Sequence, residues 1–125
     1  MILDTTAVSA LSFEDADLMA VLGASLRHHL PVIVIGEYEF GLAGSKRHKE
    51  LKAWFALLIS ECLVLTLDRE SAGIYGTICA ALKRSGTPIP SNDIWIAALA
   101  VQHSLPVVSQ DRHFDLVPNL QRVGW

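Results

Sequence analysis

Apolar residues fall along the chain in short blocks of differing period, and these blocks divide it into strands and helices. Met1 to Leu3 is a brief apolar run that stops at Asp4 and is followed by Thr5 and Thr6, which predicts a strand and then a turn. Between Asp15 and His29, Leu18, Val21, Leu22 and Leu26 recur at steps of three and four, the spacing of an amphipathic helix. Pro31 introduces Val32-Ile33-Val34-Ile35, four β-favouring residues in a row, which predicts a strand covered on both faces and ending at Gly36 and Glu37.

From Lys46 to Ser60, the stripe of Leu51, Trp54, Phe55, Leu58 and Ile59 predicts a helix whose basic residues gather at its start. Cys62 to Leu67 reads as a third strand. Arg69 to Arg84 reads as a helix with Ala72, Tyr75, Cys79 and Leu82 on one face, stopped by Gly86-Thr87-Pro88 and capped by Asp68. Ser91 is placed to cap a helix starting at Asn92, whose body, Ile94 to Val101, is apolar almost all round. Leu105 to Val108 gives a fourth strand ending at Ser109, Gln110 and Asp111, and Leu120 to Val123 a short edge strand. Strands that are continuously apolar and alternate with helices predict an α/β fold, a three-layer sandwich around a central parallel sheet of four to five strands.

Composition narrows this picture. A chain of 125 residues, 51% apolar and 18% charged, matches one compact domain over residues 1–125 and excludes a disordered or solvating chain. The longest apolar stretch, Ala53 to Leu67, is broken by Ser60 and Glu61 and falls short of the roughly 20 residues of a spanning helix. No basic region precedes an apolar run at the N-terminus, so no secretory leader is expected. Cys62 and Cys79 have no framework spacing and read as reduced thiols, which fits a cytoplasmic protein without a membrane partner. The formal charge of −3 gives no general attraction to nucleic acid. Distribution matters more: Lys46, Arg47, Lys49 and Lys52 form a basic run, and carboxylates holding divalent metals present a positive face to phosphate.

In open α/β sheets functional groups collect at the carboxyl ends of the strands. Asp4 ends the first strand, Glu37 follows the second, Asp111 follows the fourth, and Asp93 begins the buried helix. Each acid alone has an ordinary structural reading, as a turn former, a helix-start residue or an Asx-turn. Together they repel one another, and a divalent cation relieves that repulsion. Oxygen donors without a His or Cys cluster favour Mg²⁺ or Mn²⁺, and such a site can orient and deprotonate a water and stabilise the leaving oxygen of a phosphodiester.

These segments also carry a family resemblance over nearly the whole chain. Ile2-Leu3-Asp4-Thr5-Thr6, Glu37-Tyr38-Glu39-Phe40-Gly41, Asp93-Ile94-Trp95-Ile96-Ala97-Ala98 and Ser109-Gln110-Asp111-Arg112-His113-Phe114 resemble the four signatures of PIN domains, in the order and spacing of bacterial VapC toxins. The resemblance implies a Mg²⁺- or Mn²⁺-dependent endoribonuclease, a homodimer, inhibited by a cognate VapB antitoxin. It makes Asp4, Glu37, Asp93 and Asp111 the acidic quartet, with Asp4, Asp93 and Asp111 on the metal and Asp4 and Asp93 its foremost ligands. Thr5 and Ser109 would support the metal or its water. Glu37 is preferred to Glu39, being four residues before Gly41, and Asp115 is left outside the site. Gln110 departs from the Asn frequent at its position.

Lys46, Arg47 and Arg112 are candidate contacts to RNA phosphates, with a solvated helix face as the other reading of the basic run. His28, His29, His48, His103 and His113 show no metal spacing and receive no role, and Gly41 and Gly44 form no phosphate-binding loop. Two other classes stand beside the nuclease. A phospho-accepting receiver domain expects an acidic pair after the first strand and a late Lys, where this chain has Thr5 and Gln110. A PIN-like module kept only for protein interaction expects missing acids, and none is missing.

Overall fold

Five short parallel strands lie side by side in the order β3-β2-β1-β4-β5 in the computed structural model, which describes residues 1–23 and 27–125. In chain order they are β1 (Ile2–Leu3), β2 (His29–Pro31), β3 (Leu63–Leu65), β4 (Val107–Val108) and β5 (Arg122–Val123). Parallel neighbours require crossover connections. Among the described residues these are built from α1 (Thr5–Ser12), α2 (Ala16–Leu22), α3 (Val32–Ala43), α4 (His48–Glu61), α5 (Arg69–Ser85) and α6 (Ser91–His103). The expected α/β fold with a central parallel sheet is therefore present.

Strand burial follows strand position. In the central strands, Ile2, Leu3, Leu30, Val107 and Val108 are wholly inaccessible to solvent, as strands covered on both faces must be. Strand β3 lies at one edge and leaves Leu63 and Val64 exposed. Register pairs Ile2 with Val107 and Leu3 with Val108, so β1 and β4 end level with each other. The chain builds β1, β2 and β3 outward in one direction and then returns to place β4 on the other side of β1. The reversal puts the topological switch at the carboxyl ends of β1 and β4, where such sheets bind their ligands.

Four local expectations are corrected. Thr5 and Thr6 do not form a turn; they open α1, because the Asp4 carboxylate accepts the Ala7 N–H and serves as its N-cap. Val32 to Ile35 do not form a strand; they open α3. Pro31 supplies the extended residue before that helix, and Val34, Tyr38 and Leu42 then fall on one buried face at steps of four. Four β-branched residues weaken helix propensity only modestly, and burial of this stripe outweighs the local preference. Glu37 consequently stands on α3 and not at a strand end. The helix expected from Asp15 to His29 is α2 alone: it stops at Leu22, His29 belongs to β2, and Leu26 lies outside the described residues. Finally, Ser91 is the first residue of α6 and makes no cap; Pro90 is the N-cap residue, its carbonyl accepting the Ile94 N–H.

Other expectations hold. Asp68 caps α5 through a reciprocal box in which it accepts from the Ser71 N–H while its own N–H donates to Ser71 Oγ. Gly86 ends the helix in the left-handed region at φ 66°. Aromatic contacts tie the helices together: Tyr38 of α3 packs 4.4 Å from Phe55 of α4, and Tyr75 of α5 stacks 3.8 Å from Trp95 of α6. Cys62 and Cys79 are free thiols. Among the described residues no helix is long and apolar enough to cross a membrane.

Candidate metal centre

At the shared end of β1 and β4 a chain of hydrogen bonds links three of the four expected acids. Ser109, fully buried just after β4, donates its hydroxyl to Asp4 Oδ2 and accepts the Asp111 N–H at 2.8 Å. Asp111 in turn accepts the His113 N–H at 2.9 Å, forming the Asx-type start of a 3-10 turn over Arg112–Leu116. His113 Nδ1 then reaches 3.1 Å from Asp111 Oδ1 and 3.1 Å from Asp93 Oδ2 on the first turn of α6. Glu37 enters from α3, its Oε1 accepting the Thr5 hydroxyl at 2.8 Å.

The two threonines at the start of α1 diverge, as neighbours on a helix must. Thr5 turns to Glu37, whereas Thr6 donates to Asp4 Oδ1 at 2.7 Å and accepts the Gln110 N–H at 3.1 Å. With Ala7 and Ser109 also donating, Asp4 receives three hydrogen bonds and keeps one of its roughly four lone-pair positions, on Oδ2. Thr6 and His113 are the site members that sequence reading missed. A second hydroxyl directly after Asp4-Thr5 is a visible signal for the first. Nothing in the spacing reveals the second, since the contact to Asp93 spans 20 residues and exists only once the 3-10 turn has formed.

Electrostatics follow from this crowding. Burial is the main cause that raises the Asp4 carboxyl above its ordinary value; the hydrogen bonds from Ser109, Thr6 and Ala7 oppose the rise, and the charge of Asp111 adds to it. Burial likewise raises Asp93, with His113 opposing and Asp111 and Glu37 adding repulsion. His113 Nδ1 stands 3.1 Å from each of Asp93 and Asp111, and the Arg122 guanidinium also lies close enough for the Asp111 charge to act on it. Ligand atoms of Asp93, Asp111 and His113 all lie within 4.8 Å of one another. Asp93 and Asp111, whose oxygens converge with His113, fit a divalent cation, while Asp4 and Glu37 stand outside that 4.8 Å group, Asp4 joined to it through Ser109 and Glu37 adding its charge to that felt by Asp93.

Four surrounding residues fall outside this centre. Asp115 forms a two-pronged pair with Arg122, at 2.8 and 3.1 Å, which holds its carboxyl below the usual range. Arg47 is committed to Glu50 at 2.8 Å and lies over the Phe13 ring, so as a phosphate contact it would first have to leave both. Lys46 and Arg112 are exposed, and Arg112 stands directly after Asp111. Beside Thr5 and Glu37 opens a cleft of about 240 Å³ lined by Phe13, Tyr38 and Leu51 among others.

Removing the Ser109 hydroxyl tests the linkage. Ser109→Ala leaves Asp4 Oδ2 and the Asp111 N–H without their shared partner, and supporting hydroxyls of this kind are worth about 10–100-fold in metal affinity. We expect Mn²⁺ affinity, measured by calorimetric titration, to fall within that range while the fold, read by circular dichroism, persists. Unchanged affinity would show that the hydroxyl does not organise the acids.

Comparison with known proteins agrees with the geometry. The family model described as PIN domain matches residues 1–120. VapC ribonuclease Y4jK of Sinorhizobium fredii is 31% identical over 121 residues, 89% of this chain and 86% of its own length. Ribonuclease VapC2 of Rickettsia felis is 24% identical over 94 residues, 74% of this chain and 70% of its own. Among solved structures, DNA-bound VapBC from Salmonella typhimurium superposes with a TM-score of 0.89 at 27% identity, covering 99% of this chain and 96% of that one.

Proposed function

Because the chain belongs to the PIN-domain family, we propose that it is the ribonuclease toxin of a VapBC-type pair, hydrolysing RNA phosphodiester bonds at the centre formed by Asp4, Glu37, Asp93 and Asp111. The observation that carries this reading is the hydrogen-bonded path at the β1–β4 switch point from Asp4 through Ser109 to Asp111 and through His113 to Asp93, with the Ser109 hydroxyl donated to Asp4 rather than free to attack. Asp4, Asp93 and Asp111 hold the metal, Mg²⁺ or Mn²⁺, and Glu37 orients the attacking water. When bound, the metal supplies a nucleophilic water at neutral pH and stabilises the charge of the leaving oxygen. Thr5 keeps Glu37 turned inward, and Ser109 holds Asp4 and Asp111 at a fixed separation. Lys46 and Arg112, both exposed, offer contacts to RNA phosphates.

The relatives named VapC and the VapBC assembly support a VapB-like antitoxin as the inhibiting partner; a homodimer and a cytoplasmic location complete the proposal. Incubating a structured RNA with the purified full chain tests the activity. Cleavage is expected with Mg²⁺ or Mn²⁺ and none in excess chelator. Asp4→Asn and Asp93→Asn are both expected to cleave far more slowly than wild type. Equal cleavage by wild type and both variants would remove the site from consideration.

A further inference from the structure

The half-exposed imidazole of His113 occupies a position that the acidic set alone does not explain. Its Nδ1 is equidistant, at 3.1 Å, from Asp93 Oδ2 on α6 and Asp111 Oδ1 after β4, two acids from elements far apart in the chain. An octahedral ion with bonds of about 2.1 Å sets neighbouring donor atoms about 3 Å apart. Both nitrogen–oxygen separations match that spacing. The nitrogen therefore stands at ligand spacing from each carboxylate oxygen, all three donor atoms lying within 4.8 Å of one another, and the 44% exposure of the His113 side chain keeps the position open to solvent and substrate. The backbone fixes the arrangement as well, since the His113 N–H donates to the same Asp111 oxygen that its ring approaches.

Resting on the reading of this centre as a metal-dependent nuclease site, the geometry points to His113 as a direct nitrogen ligand of the catalytic metal, completing a set with Asp93 and Asp111. The consequence is metal preference. Oxygen donors suit Mg²⁺ and Mn²⁺ alike, and imidazole suits transition ions, of which Mn²⁺ is the weakest binder; of these two ions Mn²⁺ is the one that gains from a nitrogen ligand. His113 thus biases the centre toward Mn²⁺, and a chain with a non-ligating residue there would lose that bias. The opposing view is that the ring only bridges the two carboxylates by sharing its N–H when no metal is present.

Pulsed electron paramagnetic resonance of Mn²⁺ bound to the full-length protein separates the two. Wild type is expected to show the ¹⁴N coupling of a directly bound imidazole, and His113→Gln to lose it. Calorimetric titration of the same proteins is expected to show Mn²⁺ affinity falling on the order of tenfold in His113→Gln, with Mg²⁺ affinity changing clearly less. Mn²⁺ bound tightly to wild type without ¹⁴N coupling would overturn the assignment while leaving the nuclease reading intact. Equal losses for the two ions would overturn the claimed preference. Failure of wild type to bind either ion would instead defeat the nuclease reading on which the assignment rests. The wild-type spectrum decides the question even if the variant folds poorly.

Discussion

Asp93→Asn is expected to lower RNA cleavage about a thousandfold, on the order of 4 kcal/mol of transition-state stabilisation, and at the same time to make the metal-free protein more stable. The two effects have one cause. Asp93 sits on the first turn of α6 with its carboxyl raised by burial and by the charges of Asp111 and Glu37, His113 only partly opposing them. In the absence of metal, the folded state binds the Asp93 proton more tightly than the unfolded chain does. Ionised Asp93 therefore costs stability above its folded pKa, and that cost disappears as pH falls toward the ordinary carboxylate value of 3.8. Asparagine keeps the shape and removes the charge. The melting temperature of metal-free Asp93→Asn should exceed that of wild type near neutral pH, and the gap should close on acidification. Saturating Mn²⁺ should reverse the order, since only wild type gains the binding energy. A variant less stable than wild type at neutral pH without metal would show that Asp93 is not held there under repulsion.

Phe114→Ala is expected to cost about 3–5 kcal/mol, a large part of the roughly 5–15 kcal/mol that holds a domain of this kind together. Phe114 is completely buried and belongs to the same 3-10 turn that carries His113 and follows Asp111. Its ring anchors that turn to the core, while Asp111 and His113 face the site from the turn's start. Truncation opens a cavity and releases the anchor together. Urea unfolding should report the loss of stability, and metal titration of whatever remains folded should show weakened binding. A cost below about 1 kcal/mol would mean that the turn is held by its backbone and the Asp115–Arg122 pair, and not by the buried ring.

Much of the site is legible in the sequence because its acids are punctuation marks. Asp4 and Asp111 follow apolar runs that become β1 and β4, so placing the runs in a parallel sheet places the acids at its carboxyl end. Asp93 precedes a run apolar on all sides, and such a run is buried wherever it lies. Glu37 is legible as a neighbour of the site but not as a residue of helix α3. A block such as Val32-Ile33-Val34-Ile35 fits a strand and a buried helix equally well, and only the spacing of Val34, Tyr38 and Leu42 decides, through packing against the aromatic rings of α4. Glu37 reaches the acids from α3 because Thr5 meets it from α1, a tertiary contact with no local signature. Ser91 departs from its expected capping role for a related reason. A Ser before Asn92 has the composition of a cap, yet Pro90, with its restricted backbone, takes the boundary position. His113 was invisible as a participant because its spacing to Asp111 is that of a turn and its spacing to Asp93 is set by the fold.

The central claim is that Asp4, Asp93 and Asp111 act by holding a metal that cleaves RNA. Its most direct test is to strip the protein of metal, add Mn²⁺ in steps, and measure bound metal and RNA cleavage rate on the same samples. The account predicts that the rate rises in proportion to occupancy and is absent in chelator, with Asp93→Asn showing neither binding nor cleavage over the same range. Full cleavage by stripped protein in chelator, or cleavage by Asp93→Asn equal to wild type, would contradict it.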